Sequence, residues 1–156
     1  MVARLAEEKA RAAAPQIHEP AIIIGADTAV ELGRRILGKP RDATEAREML
    51  SFLCGRTHRV LTGLCLLRVP EAVVRSAVEN TRVTFAPLTQ EEIADYVASG
   101  EPFDKAGGYA IQGRAGRYIT RIEGCYFNVV GLPLARLYAL LNDLGWDEER
   151  SKALDR

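Results

Sequence analysis

Three side chains that could act on a phosphate occur within one short stretch of the sequence, AIIIGADTAVELGRRILGKP (21–40). Asp27 and Thr28 follow an apolar β-branched run, and Lys39 comes after a glycine turn. A carboxylate at the end of a buried strand is costly unless it is paired or binds a metal. The Asp27 carboxylate could bind a metal or activate a water, and the Lys39 ammonium could neutralise phosphate charge. Taken alone, Asp27 also fits a turn residue bonded to its own backbone. Together with Lys39 it predicts a strand–turn–strand unit that handles phosphate.

A second candidate region is the glycine-rich segment EPFDKAGGYAIQGRAG (101–116). Its glycines allow a ligand to approach the backbone closely, and Lys105 could neutralise an anion there. Gln112 carries donors and an acceptor, so it could read the edge of a nucleobase. An irregular surface loop is the alternative interpretation. Only four of the 21 basic residues are lysines, which favours a role for the lysines that lie in glycine-flanked loops.

Other reactive side chains form no recognisable catalytic or zinc-binding pattern. His58 stands at a helix-to-strand junction and His18 in a polar connector, and neither is assigned a role in catalysis. The cysteines Cys54, Cys65 and Cys125 are odd in number and widely spaced, which favours reduced thiols over disulfides.

The composition limits the kinds of partner. The chain has 156 residues, 47% hydrophobic and 27% charged, and its formal net charge is zero. Balanced charge gives no electrostatic basis for binding nucleic acid or an anionic membrane. No apolar run approaches the ~20 residues that span a bilayer, and no signal peptide is visible. A cytoplasmic protein is therefore expected.

Hydrophobic periodicity, turn residues and the helix-capping residues Asp42 and Thr89 predict the elements that position these groups. The patterns predict one α/β (or α+β) domain with a mixed sheet, flanked by helices, and a frayed tail over 146–156. The run 124–131 is predicted to be a loop. Helices are predicted over 2–14, from Asp42 to Gly55, from Thr89 to Gly100 and over 134–144, and strands over 22–24, 60–69, 74–85, 109–111 and 118–122.

Several long motifs resemble the Maf family. They occur in the family's order, they cover nearly the whole chain, and residues 4–10 look like the family's lysine-bearing helix. The motifs are GADT (25–28), LGKPRD (37–42), GRTHRVLTG (55–63), ASGEPFDKAGGYAIQG (98–113) and IEGCYFNVVGLPL (122–134).

The resemblance implies a single Maf-like domain over 1–156, with an elongated sheet similar to that of inosine triphosphatase. It implies a nucleoside triphosphate pyrophosphatase that uses a divalent cation, Mg²⁺ or Mn²⁺, whose ligands stay unassigned. Asp27 matches the proton acceptor, and the DKAG…IQG form resembles the branch acting on dTTP and UTP. The substrate-binding positions that match are Lys9, Thr28, Lys39, Lys105 and Gln112.

One part of the family pattern is not found in this sequence. The family begins with an SxSPRR strand and turn that hold phosphate, whereas the resemblance here starts at the lysine-bearing helix. Either the natural start lies upstream, or this form is weakly active or inactive. The alternatives are a nucleotide-binding or septum-regulating protein, or a pyrophosphatase that prefers CTP or 7-methyl-GTP. A nucleoside triphosphate is the expected partner, and a homodimer is one option for assembly.

Overall fold

The computed structural model describes residues 1–146, so most of the tail predicted over 146–156 lies outside the described residues. Within the described part, the five strands form one sheet in the order β2-β1-β3-β4-β5. None of the described helices is long and apolar enough to cross a membrane. The strands are β1 (Ala21–Leu32), β2 (Arg35–Leu37), β3 (Thr57–Val69), β4 (Val73–Phe85) and β5 (Ile119–Glu123); the helices are α1 (Val2–Ala13), α2 (Ala43–Leu53), α3 (Gln90–Ala98), α4 (Tyr126–Val130) and α5 (Leu134–Asp143).

The sheet is antiparallel, where the sequence predicts a mixed sheet; the α/β class itself is confirmed. Strand β1 pairs antiparallel with β2, and β4 pairs antiparallel with β5. Between β1 and β3, Thr28 contacts Thr62 and Glu31 contacts Arg59, so residue numbers rise along one strand and fall along the other. Strands β3 and β4 are joined by a short turn. Hairpin connections of this kind lead to antiparallel neighbours, because parallel pairs need longer crossovers.

The chain divides into two compact units. The first comprises Met1–Asp27, Gly63–Val78 and the chain from Leu134, and the second comprises Thr28–Thr62 and Glu79–Pro133. Each unit has its own apolar cluster. The buried members in the first unit are Ala6, Ala10, Cys65 and Leu67. Those in the second include Leu50, Leu53, Val60, Val83, Phe85, Ile93 and Tyr96.

Helix α1 approaches the sheet closely because glycines face it. A Cβ on Gly25 of β1 would lie 2.0 Å from the carbonyl oxygen of Ala6, and a Cβ on Gly63 of β3 would lie 2.4 Å from the carbonyl carbon of Val2. Ala6 and Ala10, on the inner face of the helix, are fully buried. Small side chains on the two elements therefore bring backbone against backbone.

Four local expectations from the sequence are wrong, and Gly25 explains the first. Strand β1 does not stop at Gly25 but continues to Leu32, because this glycine accommodates α1 instead of ending the strand. Ile24 is 46% exposed, so the isoleucine run is not fully buried. The segment 109–111 is not a strand, and 124–131 contains helix α4 instead of a continuous loop.

The helix starts agree with their sequence signals. Asp42 accepts a hydrogen bond from the backbone N–H of Glu45 at 2.8 Å, which caps α2. Thr89 and Glu92 bond reciprocally at the start of α3, which is a complete capping box.

Replacing Gly25 by alanine tests the importance of this close approach. The new Cβ would collide with the backbone of α1, so we expect Gly25→Ala to lower the free energy of unfolding by about 3 kcal/mol. Gly38→Ala is the matched control, because a Cβ there meets no atom within 4 Å, and it should change stability by less than about 0.5 kcal/mol. Urea unfolding of both variants measures the difference. Equal stabilities would contradict the packing argument.

Candidate functional site

The acid predicted from the sequence is paired with a lysine from helix α1. Lys9 Nζ donates to Asp27 Oδ1 at 2.7 Å and to the carbonyl oxygen of Ala26 at 3.1 Å. The Asp27 side chain is 19% exposed, while that of Lys9 is 58% exposed. The carboxylate is thus held by a charged donor and remains open to solvent. The structure therefore brings together Lys9 and Asp27, two of the predicted site residues, within the first unit.

The ligating side chains of the described residues limit how a metal could be held. Among residues 1–146 there is no group of three or more His, Cys, Asp or Glu side chains that could hold a metal ion. A cage built from protein ligands alone is therefore not offered by the described residues. Mg²⁺ is commonly bound by one or two carboxylates together with substrate phosphates and water. Asp27 fits that arrangement, because Lys9 contacts Oδ1 and the side chain is partly exposed.

Two further predicted lysines belong to one region of the second unit. The backbone N–H of Gly107 donates to the carbonyl oxygen of Gly38 at 2.9 Å, which attaches the glycine-rich segment to the residue before Lys39. Lys105 Nζ contacts Asp104 Oδ2 at 2.7 Å. The pKa of the Asp104 carboxyl is lowered, mainly by the hydrogen bond from Lys105, with a smaller contribution from the charge of Lys39. Two cations therefore act on one exposed carboxylate.

Glycine is required where this segment meets β1. Gly107 has φ +74°, and a Cβ there would lie 2.9 Å from a methyl group of Val30. A side chain at this position would be strained by the backbone conformation and crowded by its neighbour. This glycine allows the segment that carries Lys105 to pack against the sheet.

Beyond Gly107, the segment is attached to α3 and to the turn that follows it. The backbone N–H of Ala110 donates to Tyr96 Oη at 3.2 Å. Both carboxylate oxygens of Glu101 accept from the backbone N–H of Arg114 at 3.0 Å. Gln112 lies between these two attachments, in an exposed turn. Its side chain is therefore presented to solvent from a fixed backbone.

A buried pair of side chains, His58 and Tyr109, ties the middle of the segment to β3. His58 Nε2 lies 2.6 Å from Tyr109 Oη, and the two rings and Phe85 form an edge-to-face cluster. Burial lowers the pKa of His58 to about 4 and raises the pKa of the Tyr109 hydroxyl. Both groups are consequently neutral at neutral pH. This arrangement agrees with the sequence-based reading that gave His58 no catalytic role.

The last predicted position, Thr28, lies in β1 beside a buried partner. Its Oγ1 is 2.9 Å from Oγ1 of Thr62 on β3. Thr28, Lys39, Lys105 and Gln112 all belong to the second unit.

Sequence reasoning missed the residues that hold the glycine-rich segment. Tyr96, Glu101 and Tyr109 were not singled out, since tyrosines on apolar patterns look like ordinary core residues. The acid at 101 stands just after a helix end, where charged residues are common. One available signal was the polar group that each tyrosine carries, because buried hydroxyls require a partner.

The depressed pKa of His58 predicts a pH-dependent stability. Between pH 6.5 and about 4 the unfolded chain binds a proton at His58 that the folded protein does not, so stability falls as the pH drops through this window. The loss should total about 3 kcal/mol, with the full contribution present above pH 6.5. Denaturant unfolding between pH 7.5 and 4, compared with His58→Phe, isolates this part of the pH dependence. His18→Gln is the control and should keep it. Parallel profiles for the wild type and His58→Phe would rule the explanation out.

Comparison with known proteins identifies relatives along most of the chain. Residues 1–144 match the family described as Maf-like protein. A dTTP/UTP pyrophosphatase of Carboxydothermus hydrogenoformans is 52% identical over 142 residues, covering 91% of this chain and 76% of the relative. A dTTP/UTP pyrophosphatase of an Anaeromyxobacter species is 52% identical over 153 residues, covering 94% of this chain and 72% of the relative. A third, from a Geobacillus species, is 52% identical over 143 residues, covering 91% and 75%.

The family match spans far more than half of the chain, and these relatives share about half of its residues at aligned positions. The resemblance read from the motifs is therefore confirmed: the chain belongs to the Maf family.

Proposed function

We propose that this protein hydrolyses dTTP and UTP to the nucleoside monophosphate and pyrophosphate. The observation that carries the proposal is the 52% identity to proteins named dTTP/UTP pyrophosphatase, over about nine-tenths of the chain. The contact between Lys9 and Asp27 supports it, because the reaction needs a positioned carboxylate.

In the proposed reaction Asp27 is the base. A water oxygen bonds to the α-phosphorus, its proton passes to Asp27, and the bond from the α-phosphorus to the bridging oxygen breaks. The electron pair leaves with pyrophosphate. Lys9 holds one carboxylate oxygen in place, which fixes the direction in which the carboxylate can accept the proton. Lys9 is also exposed enough to contact a phosphate oxygen.

Charge neutralisation is the role proposed for Lys39 and Lys105. A triphosphate and its departing pyrophosphate carry several negative charges, and positioned ammonium groups stabilise them as charge develops. In the structure the Lys105 ammonium is paired with the Asp104 carboxylate. The Lys105 side chain is 43% exposed and the Asp104 side chain is 73% exposed, so both can exchange partners. Phosphate oxygens could therefore replace this carboxylate on binding.

A divalent cation, Mg²⁺ or Mn²⁺, is proposed as the cofactor. When bound, such an ion supplies Lewis-acid stabilisation of phosphate charge. Asp27 would give such an ion one carboxylate ligand, since Lys9 contacts only Oδ1 and the side chain is partly exposed, and substrate phosphates and water would supply the other ligands.

Thr28 and Gln112 are proposed to take part in selecting the base. A preference for CTP or 7-methyl-GTP is the alternative, and an assay that compares these nucleotides with dTTP and UTP distinguishes the two. The balanced net charge supports a small-molecule substrate without nucleic acid as a partner. A cytoplasmic location and a homodimer stay predictions, the second testable by sedimentation.

The proposed base is tested by Asp27→Asn. The amide keeps the shape of the side chain but cannot accept the proton from water, so we expect kcat to fall by about 10²–10⁴-fold. Pyrophosphate release from dTTP, UTP, CTP and 7-methyl-GTP, each with Mg²⁺, is the measurement. Faster turnover of CTP or 7-methyl-GTP would contradict the proposed substrate class.

Glu31→Gln is a closely matched control for this substitution. Glu31 is also on β1, is also 19% exposed, and is paired with a basic residue, Arg59, at 2.6 Å. It should keep kcat within about threefold of the wild type, since it has no proposed part in the reaction. Full turnover by Asp27→Asn would show that Asp27 is not the base. Nucleotide binding by a wild-type protein that releases no pyrophosphate would favour the regulatory alternative.

Metal removal gives an independent test. Treatment with EDTA should abolish pyrophosphate release, and excess Mg²⁺ or Mn²⁺ should restore it, because the lysines alone leave part of the phosphate charge unneutralised. Thermal unfolding with and without EDTA controls for loss of structure. Undiminished turnover in EDTA would refute the need for a metal.

A further inference from the structure

A chain of hydrogen-bonded polar groups begins at Thr28 and runs inward within the second unit. Thr28 Oγ1 lies 2.9 Å from Thr62 Oγ1, and Thr62 Oγ1 lies 3.5 Å from the backbone carbonyl oxygen of Asn128. Thr62 and Asn128 are both fully buried. Thr28 is only partly buried, so it is the end of the chain at which a ligand could make contact.

The inner end of this chain is held firmly by Asn128. Its Nδ2 donates to the carbonyl oxygen of Val60 at 3.0 Å and to Thr81 Oγ1 at 2.9 Å. The same Thr81 hydroxyl accepts from the backbone N–H of Cys125 at 3.1 Å, at the start of helix α4. The backbone carbonyl oxygen of Asn128, which contacts Thr62, is therefore a fixed acceptor, since both the Asn128 side chain and the start of α4 are anchored.

The direction of the hydroxyl protons follows from counting donors. A carbonyl oxygen can only accept, so Thr62 must donate its single proton for the contact with Asn128 to be a hydrogen bond. Thr62 then accepts the proton of Thr28. The reverse direction, with Thr62 donating to Thr28, leaves the contact to Asn128 without a proton. Buried polar groups favour the arrangement that makes more bonds.

We propose that Thr62 and Asn128 are positioning residues that make the Thr28 hydroxyl a hydrogen-bond acceptor toward the substrate, selective for the imide N3–H of thymine and uracil. With its proton committed to Thr62, Thr28 presents only lone pairs. Thymine and uracil share the N3–H donor, whereas the N3 of cytosine is an acceptor and would meet those lone pairs unfavourably. A fixed polar group rejects an analogue that lacks its partner more strongly than a flexible group does.

Because this assignment rests on the proposed function, the experiment compares two substrates within one enzyme. The ratio of kcat/KM for UTP to that for CTP is measured for the wild type, Thr62→Val, Thr62→Ser and Thr28→Val. Thr62→Val removes the acceptor for the Thr28 proton, so Thr28 can turn and donate to the N3 of cytosine. We expect the ratio to fall about tenfold in Thr62→Val and to be kept by Thr62→Ser.

Thr57→Val is the matched control. Thr57 is on the same strand, β3, and its Oγ1 makes a similar hydroxyl contact of 2.8 Å with Thr84. It should lose comparable stability and leave the UTP-to-CTP ratio unchanged. An unchanged ratio in Thr62→Val, or an equal loss of activity with both nucleotides, would overturn the assignment, since a merely structural threonine has no reason to distinguish the two bases.

The remaining outcomes separate the assignment from the proposed function. A wild type that hydrolyses neither dTTP nor UTP overturns both. A Thr28→Val variant that changes the ratio while a folded Thr62→Val does not would leave the proposed function intact and refute the positioning role alone.

A modified substrate tests the same contact without a variant, in case Thr62→Val does not fold. N3-methyl-UTP lacks the imide proton, so the wild type should hydrolyse it with a kcat/KM at least about tenfold below that for UTP. Equal values for the two substrates would overturn the assignment whatever the variants do.

Discussion

The approach of helix α1 to strand β1 at Gly25 is the contact on which the pairing of Lys9 with Asp27 depends. Backbone reaches backbone only because Gly25 has no side chain, and the helix carries alanine where it faces the strand. A lysine three residues after Ala6 can then reach the strand's carbonyl and the next carboxylate. A larger side chain at Gly25 or Ala6 would push the helix away from the strand and move the ammonium away from Asp27. Packing and chemistry are thus set by the same small residues.

The glycine-rich segment of the second unit is positioned by a different means. Between Lys105 and Gln112 its backbone forms only a short 3-10 helix, Ala106–Gly108. Its shape therefore depends mainly on single hydrogen bonds to side chains and to a neighbouring carbonyl. Tyr109 and His58 supply a buried anchor, and burial lowers the pKa of His58 so that the neutral histidine is favoured there. Irregular segments of this kind can expose polar groups on both sides of an anchor, which suits ligand binding better than core formation.

Sequence reasoning predicted what depends on local signals and missed what depends on contacts far apart in the chain. Capping residues gave the starts of α2 and α3, and the turn at Gly33 gave the β1–β2 hairpin. Gly25 was read as the end of a strand because a glycine after a β-branched run normally indicates a break, whereas here the requirement comes from α1. The prediction of a mixed sheet is wrong for a related reason, since the direction of strands that no hairpin joins depends on pairing between distant segments. Long family motifs, by contrast, carried the family assignment without any structural information.

The distribution of lysine and arginine now has a physical interpretation. Arginines take part in exposed ion pairs within one helix, as Arg11 does with Glu7, or across strands, as Arg59 does with Glu31. Lys9 likewise meets one carboxylate oxygen and is about as exposed as these arginines, so the difference lies in the chemistry of the head group. An ammonium is a compact charge with three freely rotating donors, so it can shift from a carboxylate to a phosphate oxygen without the fixed fork geometry of a guanidinium. Lysine is therefore better suited than arginine to pair with a carboxylate and then exchange it for a phosphate oxygen, which is the role proposed for Lys9.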